Sequence, residues 1–544
     1  MHANPLQRML PVPPYGLERV RTAAEASGAE VRLLDPYLLA TDAHAEAGRA
    51  ATDFDPDVVG FGLRVLEDCI PIDDLHASAP HDVHNVVAEV RGLVDAVRAA
   101  TPHASLVLGG AGFSACPGAC LEALDVPHGI VGAGEGPFVE LLGRLWRGED
   151  PAGVPGLVRL GEETAADGWQ TAFAGLTTRE PIYAPTHGFP VRTRVGCAMA
   201  CAYCTASVMH RRHGVGTVQD VVAEVRALVE AARARGVSPV PIFFADDEFN
   251  LPDERHPLAV LEAIVDADLA GHVAWRAYLN PTPFSDRFAE LAAATNGFVS
   301  VTADSASDAV LARAGKPFRR RHLDELLERV ARHGVRTELG LIFGLPGETR
   351  ETVAETVAFV RSLPDELEVA YAVGARAYPG TPLGRIADEE PQHLYGAGHA
   401  ALQEPAIYSP VGDPRALARE LEHAFADRAN VERMGVGYRR STYALSHAYR
   451  AVLAGDRRAW DEALGRAAQE PGAAAARTLV ACLRIALWHE RFDLAGAAVG
   501  RLRHADLPPD VSSSGLLRAR VVFGAMGRAQ TLKRMFRTSP SSTT

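Results

Sequence analysis

Three closely spaced cysteines have the clearest chemistry in this chain. Cys197, Cys201 and Cys204 form a C-x₃-C-x₂-C run, and Tyr203 directly precedes the last thiol. Three thiolates on one short loop match a cubane iron–sulfur cluster, which normally takes four cysteines, so one iron would keep an open position. An open metal position distinguishes a catalytic centre from a structural one. The spacing therefore predicts a [4Fe-4S] cluster with one iron available to a ligand.

The competing interpretation of this run is a zinc knuckle or a group of buried thiols. Zinc knuckles pair a C-x₂-C with a second close Cys or His pair. The next candidate ligand, His210, has no partner at that spacing in the sequence. The sequence favours the cluster, and its confirmation depends on the elements around the loop.

The composition argues against several classes of protein. A length of 544 residues is too great for one core, so several domains are expected. A formal net charge of −13 argues against a nucleic-acid partner, because phosphate binding needs a basic face. The seven cysteines are odd in number and scattered, unlike a disulfide framework. No signal peptide or membrane-spanning run is visible, so we expect a cytoplasmic protein without a membrane partner.

Residues 1–150 alternate short apolar runs with amphipathic patterns, which predicts a doubly wound α/β domain. Glycines follow the expected strand ends, where such sheets bind ligands. Four prolines follow the start, so either the usual first strand is lost or the chain starts upstream. Strands are expected at 31–34, 58–61, 105–108 and 129–131, with helices at 16–26, 83–100 and 137–147.

A second series of strand and helix patterns follows a linker at 151–185. Its six βα units predict a partial (β/α)₆ barrel over 186–395, with chemistry at the carboxyl ends of the strands. Residues 396–535 predict a C-terminal helical domain, and 536–544 a disordered tail. Barrel strands are expected at 191–195, 241–245, 273–277, 298–302, 337–343 and 368–373, with helices between them at 218–235, 256–267, 286–294, 308–313, 322–333 and 350–363.

In order and spacing, these parts closely resemble the cobalamin-dependent branch of the radical S-adenosylmethionine (SAM) enzymes. The likeness covers about residues 5–390 and begins in the barrel with the cluster loop. Singly, each motif is also compatible with strand-end carboxylates or a βα turn and helix cap. The remaining family-like segments are Phe243–Asn250, Val301–Asp308, Gly340–Thr349 and Tyr378–Leu383, with Asp304 and Ala306 replacing a Glu and a Gly of the family.

The resemblance implies which residues contact the cofactors. In the family, SAM is contacted by an aromatic residue in the cluster loop, by the end of the second barrel strand and by later turns. The matching positions in this sequence are Tyr203, Ala245, Asp246, Asp247, Asp304, Ser305, Lys316, Gly344 and Glu348. The N-terminal domain is similar to the cobalamin-binding domain of the same branch, where glycines let the backbone approach the ligand. Its implied cobalamin contacts are Arg64, Gly109, Gly110, Gly132, Gly134 and Glu135.

The D-x-H-x-x-G motif, which supplies a histidine ligand to cobalt in other cobalamin proteins, is absent from the sequence. The most similar segment, 74–76, is interpreted as a surface loop. Arg64 stands where related enzymes place a residue under the lower cobalt face, so the resemblance implies a catalytic role. A guanidinium has no acceptor and would leave that face unligated. A salt bridge from Arg64 to Glu67 or Asp68 is the alternative. Cys116 and Cys120 repeat a C-x₃-C spacing and are interpreted as buried thiols.

The resemblance implies three cofactors, namely a [4Fe-4S] cluster, SAM and cobalamin. It implies a methyltransferase that passes a methyl group from SAM through methylcobalamin to a carbon of a small-molecule natural-product precursor. Tryptophan or another aromatic compound is a candidate, since Arg64 and the Asp304 segment are similar to the tryptophan 2-C-methyltransferases, in which transfer is thought to be polar. A flavodoxin or ferredoxin would be the electron donor.

Three alternative functions remain open. The first is a rearrangement or cyclisation that uses both cofactors without methyl transfer. The second is a cobalamin-binding sensor with no enzymatic activity, which the intact cysteine loop argues against. The third, tRNA methylthiolation, expects a further cysteine trio and a basic RNA module that the sequence does not display.

Overall fold

The computed structural model describes residues 1–8, 11–66, 86–161, 176, 179–206, 214–396, 406–434, 436–470 and 473–502. Several predictions lie outside these residues, namely those on Glu67, Asp68, 74–76, His210 and the tail at 536–544. The described residues form an N-terminal α/β domain, a central parallel sheet with helices, and a C-terminal helical region. The predicted fold class is confirmed.

The N-terminal domain is built on a four-stranded sheet. Strands β1 (Val58–Gly62), β2 (Ser105–Gly109) and β3 (His128–Ile130) are parallel, and β4 (Leu157–Arg159) is antiparallel to β3. Apolar side chains fill a core on each face of the sheet, as a doubly wound domain requires. Its helices are Tyr15–Ala26, Pro36–Leu39, Ala43–Phe54, Val86–Ala100, Ala111–Ala115, Pro117–Leu124 and Glu135–Trp146, after a 3₁₀ turn at Pro5–Arg8.

The strand predicted at 31–34 is wrong, because these residues form no strand. Residues 1–3 instead lie beside β1, where His2 makes a parallel bridge to Gly62. The Gly62 N–H donates to the Met1 carbonyl at 2.9 Å, and the His2 N–H donates to the Leu34 carbonyl at 2.8 Å. Residues 1–3 therefore occupy the edge of the sheet beside β1, although the sequence predicted no strand there.

The central sheet has seven parallel strands, one more than predicted. Their order is β5, β8, β9, β10, β11, β12 and β16, so the chain winds in one direction as a partial barrel does. The ranges are β5 Phe189–Val191, β8 Val240–Phe244, β9 Val273–Leu279, β10 Gly297–Asp304, β11 Arg336–Phe343, β12 Glu368–Val373 and β16 Val431–Arg433. The seventh strand, β16, comes from the region that was predicted to be helical.

Helices and short strands complete this unit. The helices are Val218–Ala234, Arg255–Asp266, Asp286–Ala294, Asp308–Arg313, Arg320–His333, Arg350–Ser362 and Pro382–Glu389, with 3₁₀ turns at Ala270–His272 and Pro391–His393. The short strands are β6 Arg194–Val195, β7 Gly214–Val215, β13 Ala375–Arg376, β14 Leu394–Tyr395 and β15 Ile407–Tyr408. All six helices predicted between barrel strands are found within two residues of their expected ends.

The two faces of the barrel sheet differ in polarity. Along β9, alternate residues from Val273 to Leu279 are buried in the core shared with the helices. The residues between them point to the other face, where the Arg276 and Tyr278 side chains stay 39% and 43% accessible. An accessible tyrosine in a central strand means that the inner face borders open space rather than a packed core.

The C-terminal helices pack against the barrel and the segment that precedes it. The Trp488 indole N–H donates to the Pro181 carbonyl at 3.2 Å, and its ring lies 5.0 Å from that of Phe189. Both backbone groups of Ala184 bond to the Tyr449 hydroxyl, at 2.8 and 2.9 Å. The helices are Pro414–Ala424, Val436–Ala454, Arg457–Ala467, Ala473–Trp488 and Phe492–Leu502. None of the described helices is both long and apolar enough to cross a membrane.

A buried carboxyl in this region makes stability depend on pH. Burial raises the pKa of Glu470 from 4.5 to about 7, and the Thr478 hydroxyl donates to it at 2.8 Å. The folded protein therefore holds this proton more tightly than the unfolded chain, so its contribution to stability is complete below pH 4.5 and is lost as pH rises through about 7. We expect Glu470→Gln to flatten this decline in thermal melts recorded across that range. Parallel declines in both proteins would contradict the assignment.

Candidate active site

The cysteine loop is held between the first barrel strand and the turns of later units. It follows β6, and the Ala202 N–H donates to the Ala314 carbonyl at 2.9 Å while the Ala202 carbonyl accepts from Leu383 at 2.8 Å. Gly315 has a φ of +76°, and a Cβ there would lie 2.8 Å from the Ala200 carbonyl oxygen. Two distant turns therefore fix the backbone of the loop, and one of them needs a glycine.

The three thiols form no disulfide, and all are partly or fully buried. Burial raises the pKa of Cys197 to about 12 and that of Cys201 to about 11, although the Lys316 ammonium opposes the second shift. Without metal, the thiols are therefore protonated, and metal binding must release those protons. Among the described residues no three His, Cys, Asp or Glu side chains are placed to hold a single metal ion. Three thiols on one loop, each able to bind one iron of a cubane, fit the cluster that the sequence predicted.

Asp304, Lys316 and Tyr203 form a buried group beside the loop. The Lys316 Nζ lies 2.8 Å from the Asp304 Oδ2, and the Tyr203 hydroxyl donates to the same oxygen at 2.7 Å. Both ends of the ion pair are nearly inaccessible to water. The three side chains join the loop to the end of β10, and their predicted role as SAM contacts stays a prediction.

Removing the lysine should destabilise the protein strongly. Lys316→Ala leaves the Asp304 carboxylate buried without its cation, which costs about 3–5 kcal/mol in comparable sites. Denaturant unfolding of the protein without cofactors would measure this loss. Tyr203→Phe is the milder comparison and should cost about 1 kcal/mol, because only one hydrogen bond is removed. Equal stability of Lys316→Ala and the wild type would contradict a structural role for the pair.

Asp246 also has a structural set of partners. Its carboxylate accepts from the Thr193 N–H at 2.8 Å, the Thr193 hydroxyl at 2.5 Å and the Arg194 N–H at 3.0 Å. Burial raises its pKa to about 6. These bonds tie the end of β8 to the strand that leads into the cysteine loop. Of its neighbours, Asp247 is exposed and Ala245 borders a large cavity between the N-terminal domain and the barrel.

Glu248 is a site residue that the sequence motifs did not single out. One carboxylate oxygen accepts from the Thr302 hydroxyl at 2.7 Å, and the other is buried with no hydrogen-bond partner among the described residues. Burial raises its pKa to about 7, and its charge acts on Cys197 and Cys204. Glu248 therefore lies near the cysteines, and its second carboxylate oxygen could accept a hydrogen bond from a ligand. The sequence feature that could have identified Glu248 is its position as the third acidic residue of an Asp-Asp-Glu run.

Glu348 offers a similar group from the turn after β11. The Gly344 N–H donates to one carboxylate oxygen, while the other is buried without a partner in the described structure. Burial raises the pKa of Glu348 to about 7. Gly344 has a φ of +94°, and a Cβ there would lie 3.2 Å from the Gly374 backbone. Ser305, in contrast, bonds to Thr356 at 3.2 Å and to the Ser307 N–H at 3.1 Å, as a local structural cap does.

The cavity of about 1740 Å³ lies between the carboxyl edge of the N-terminal sheet and the barrel strands β5 and β8. All six residues predicted as cobalamin contacts line it, namely Arg64, Gly109, Gly110, Gly132, Gly134 and Glu135. From the barrel, its lining includes His187, Phe243, Ala245 and Val195, and Val195 lies just two residues before Cys197. The volume exceeds that of ordinary small-molecule pockets, about 300–1,000 Å³, so it suits a macrocyclic ligand with a tail.

Part of the cavity wall is tightly packed backbone that admits only a glycine. Gly110 has a φ of +96°, and a Cβ there would lie 2.4 Å from the Leu63 carbonyl oxygen, so the wall is backbone at this point. Glu135 is held by Arg19, whose Nε lies 2.5 Å from its carboxylate. Arg64 is exposed to the cavity, and the alternative partners proposed for it lie outside the described residues.

Comparison with known proteins agrees with both halves of this site. The model of the radical SAM superfamily matches residues 191–360, and that of the B12 binding domain matches residues 7–142. The chain therefore combines a radical SAM domain with a B12 binding domain, which confirms the resemblance that the sequence indicated. These two domains agree with the cofactors that the sequence predicted, namely a [4Fe-4S] cluster, SAM and cobalamin, and with its prediction of a SAM-dependent methyltransferase.

Its relatives include characterised and solved proteins. A tryptophan 2-C-methyltransferase of Streptomyces laurentii is 25% identical over 71% of this chain and 74% of its own. An uncharacterised methyltransferase of Pyrococcus horikoshii is 24% identical over 69% and 78%. The solved radical SAM methyltransferase TsrM from Kitasatospora setae, with cobalamin and a [4Fe-4S] cluster, has a TM-score of 0.70 at 24% identity and covers 84% of this chain and 98% of that one. A second structure of that enzyme, with a TM-score of 0.66 at 24% identity over 78% of this chain and 87% of that one, holds tryptophan and a SAM analogue.

Proposed function

We propose that this enzyme methylates a carbon of an aromatic small molecule, with tryptophan as the first candidate. The observation that carries the proposal is the cavity between the two domains, whose lining runs from the glycines predicted to contact cobalamin to Val195 beside the cysteine loop. The tryptophan methyltransferase that matches most of this chain supports the choice of substrate. Bound cobalamin would supply the carrier that takes a methyl group from SAM to the substrate carbon.

The protein's own side chains would bind the cofactors and orient them. Cys197, Cys201 and Cys204 would hold the cluster, whose remaining iron is open to SAM. Glu348 presents a buried carboxylate oxygen without a partner among the described residues, which suits the amino or hydroxyl groups of SAM. Arg64 would cover one cobalt face without ligating it. Bound cobalamin would fill much of the cavity and so displace water from the reacting groups.

An anaerobic assay tests this function. The protein, reconstituted with iron, sulfide and cobalamin, is incubated with SAM and L-tryptophan, together with a reductant or a flavodoxin or ferredoxin as electron donor. We expect a product heavier than tryptophan by one methyl group, detected by mass spectrometry. Release of 5′-deoxyadenosine with no methylated product would instead support the rearrangement class. No conversion of tryptophan or of other aromatic acids would contradict the proposed substrate class.

A further inference from the structure

Arg192 lies on the inner face of the barrel sheet, at a position where the sequence predicted no site residue. Phe189 and Val191 of β5 are buried in the core that the barrel shares with its helices. Because side chains alternate along a strand, Pro190 and Arg192, which directly follows β5, face the other side. Both residues line the cavity, together with Phe243 of the neighbouring strand β8. The side chain of Arg192 therefore belongs to the barrel wall of the cavity.

A ring from the N-terminal domain fixes the position of this side chain. The guanidinium carbon of Arg192 lies 5.5 Å from the centroid of the Tyr15 ring, which is the distance of a cation–π contact. Tyr15 is 7% exposed, and the guanidinium of Arg179 lies on the same ring at 5.4 Å. Arg179 also donates to the Pro190 carbonyl at 2.7 Å, which ties the ring to β5. Arg192 is therefore held where the N-terminal domain meets the barrel.

Three arginines contact the tyrosine ring, and they differ in their other partners. Arg19 pairs with Glu135 at 2.5 Å, and Arg179 pairs with Glu224. Arg192 makes no hydrogen bond or ion pair with any residue that the structure describes. A contact with an aromatic ring leaves most of the five guanidinium N–H donors unused. Since Arg192 is half-buried at the cavity wall, these donors are available to a molecule that fills the cavity.

The same ring leads to the predicted cobalamin contacts. The guanidinium of Arg19 lies 5.7 Å from the centroid of the Tyr15 ring and holds Glu135, one of the six residues predicted to contact cobalamin. Arg192 therefore lies close to this end of the N-terminal domain, on the opposite side of the ring. The corrin ring of cobalamin carries amide side chains around its edge. Their carbonyl oxygens accept hydrogen bonds, and a charged donor strengthens such bonds.

We propose that Arg192, positioned by Tyr15, binds an amide oxygen at the edge of the corrin ring, so that the barrel holds cobalamin together with the N-terminal domain. The six contacts implied by the resemblance all lie in the N-terminal domain, and Arg192 adds one from the barrel side of the cavity. Cys197 follows Arg192 by five residues, so this contact joins cobalamin to the strand that leads into the cysteine loop. The proposal depends on cobalamin binding and not on the identity of the methyl acceptor.

Binding of cobalamin, rather than turnover, tests this contact. The cluster-reconstituted protein is titrated with hydroxocobalamin in the absence of SAM and tryptophan, and the change in corrin absorbance is recorded. We expect Arg192→Gln to weaken binding by about ten-fold or more, as expected for the loss of a hydrogen bond from a charged donor. Cobinamide keeps the corrin amides but lacks the nucleotide tail, and its binding should be weakened by a similar factor. Weakening of cobalamin alone, or no binding of cobinamide by the wild type, would place the contact on the tail and overturn the proposal.

Arg336→Gln is the matched control. Arg336 also lies over an aromatic ring, that of Phe298 at 5.7 Å, but it is not part of the cavity lining. Its replacement should leave the affinity for both corrinoids unchanged. Thermal unfolding without cobalamin shows whether each variant is folded.

Arg192→Lys provides a second variant if Arg192→Gln lowers thermal stability. The lysine keeps a cation over the Tyr15 ring with fewer donors, and it should bind cobalamin about three-fold or more weakly than the wild type. Wild-type affinity for cobalamin in both Arg192 variants, or weaker binding of tryptophan with unchanged binding of cobalamin, would overturn the proposal. Methyl transfer to a compound that is not aromatic would contradict the proposed function and leave this contact standing.

Discussion

Replacing Cys201 with alanine is expected to reduce bound iron and sulfide to the background of the unreconstituted protein and to abolish methyl transfer. Cys201 is 5% exposed on a loop whose backbone is fixed by Ala314 and Leu383, so the loop cannot readily shift another of its own side chains into this position. Outer-shell changes at metal sites already cost about 10–100-fold, and loss of a ligand should lower turnover by more than about 100-fold. Iron and sulfide analysis after anaerobic reconstitution, followed by turnover, measures both effects.

Cys120→Ala is the control for this experiment. Cys120 is also buried and also ends a C-x₃-C spacing, but it lies in the apolar core of the N-terminal domain. Burial raises the pKa of its thiol far above the usual range, as expected for an inert structural cysteine. Its variant should keep full iron content. Full iron content and normal turnover in Cys201→Ala would contradict the assignment of the cluster.

Replacing Gly110 with valine is expected to lower the affinity for cobalamin by at least about ten-fold. The valine would combine a φ of +96° with a Cβ 2.4 Å from the Leu63 carbonyl oxygen. Such backbone strain costs about 1–3 kcal/mol, and its relief would push the segment that ends in Arg64 into the cavity. Titration with cobalamin followed by absorbance measures the affinity, and thermal unfolding reports the strain.

A second glycine separates loss of the cavity from general damage. Gly118 lies in the helix Pro117–Leu124, and a Cβ added there would have no atom within 4 Å. Gly118→Ala should bind cobalamin as the wild type does, because it fits the helix and leaves the cavity wall unchanged. Cobalamin affinity that is unchanged in Gly110→Val would contradict the placement of the ligand at this edge.

Local pattern predicted most of the elements. The helices at 286–294 and 308–313 begin and end as expected, because apolar periodicity and capping residues act over short distances. The strand expected at 31–34 failed, because residues 1–3 take the edge of β1. The strand Val431–Arg433 was missed for a related reason, since its pairing partner β12 lies far away in the sequence.

The sequence predicted those parts of the candidate site that carry a recognisable motif. The glycines and the cysteines could be named from the sequence, and the glycines do line one cavity. The resemblance did not predict the structural partners of Asp246 or the Asp304–Lys316 ion pair, and their role as SAM contacts stays a prediction. The buried carboxylate oxygens of Glu248 and Glu348 depend on packing between distant segments, which no local pattern encodes.

The route of the methyl group, from SAM through cobalamin in the shared cavity to an aromatic acid, can be followed with an isotope. The experiment uses SAM with a deuterated methyl group, cluster-reconstituted protein and L-tryptophan, with and without added cobalamin. We expect a product that gains the intact deuterated methyl group only when cobalamin is bound, and none of it in Cys201→Ala. Labelled product formed equally well without cobalamin would rule out this route.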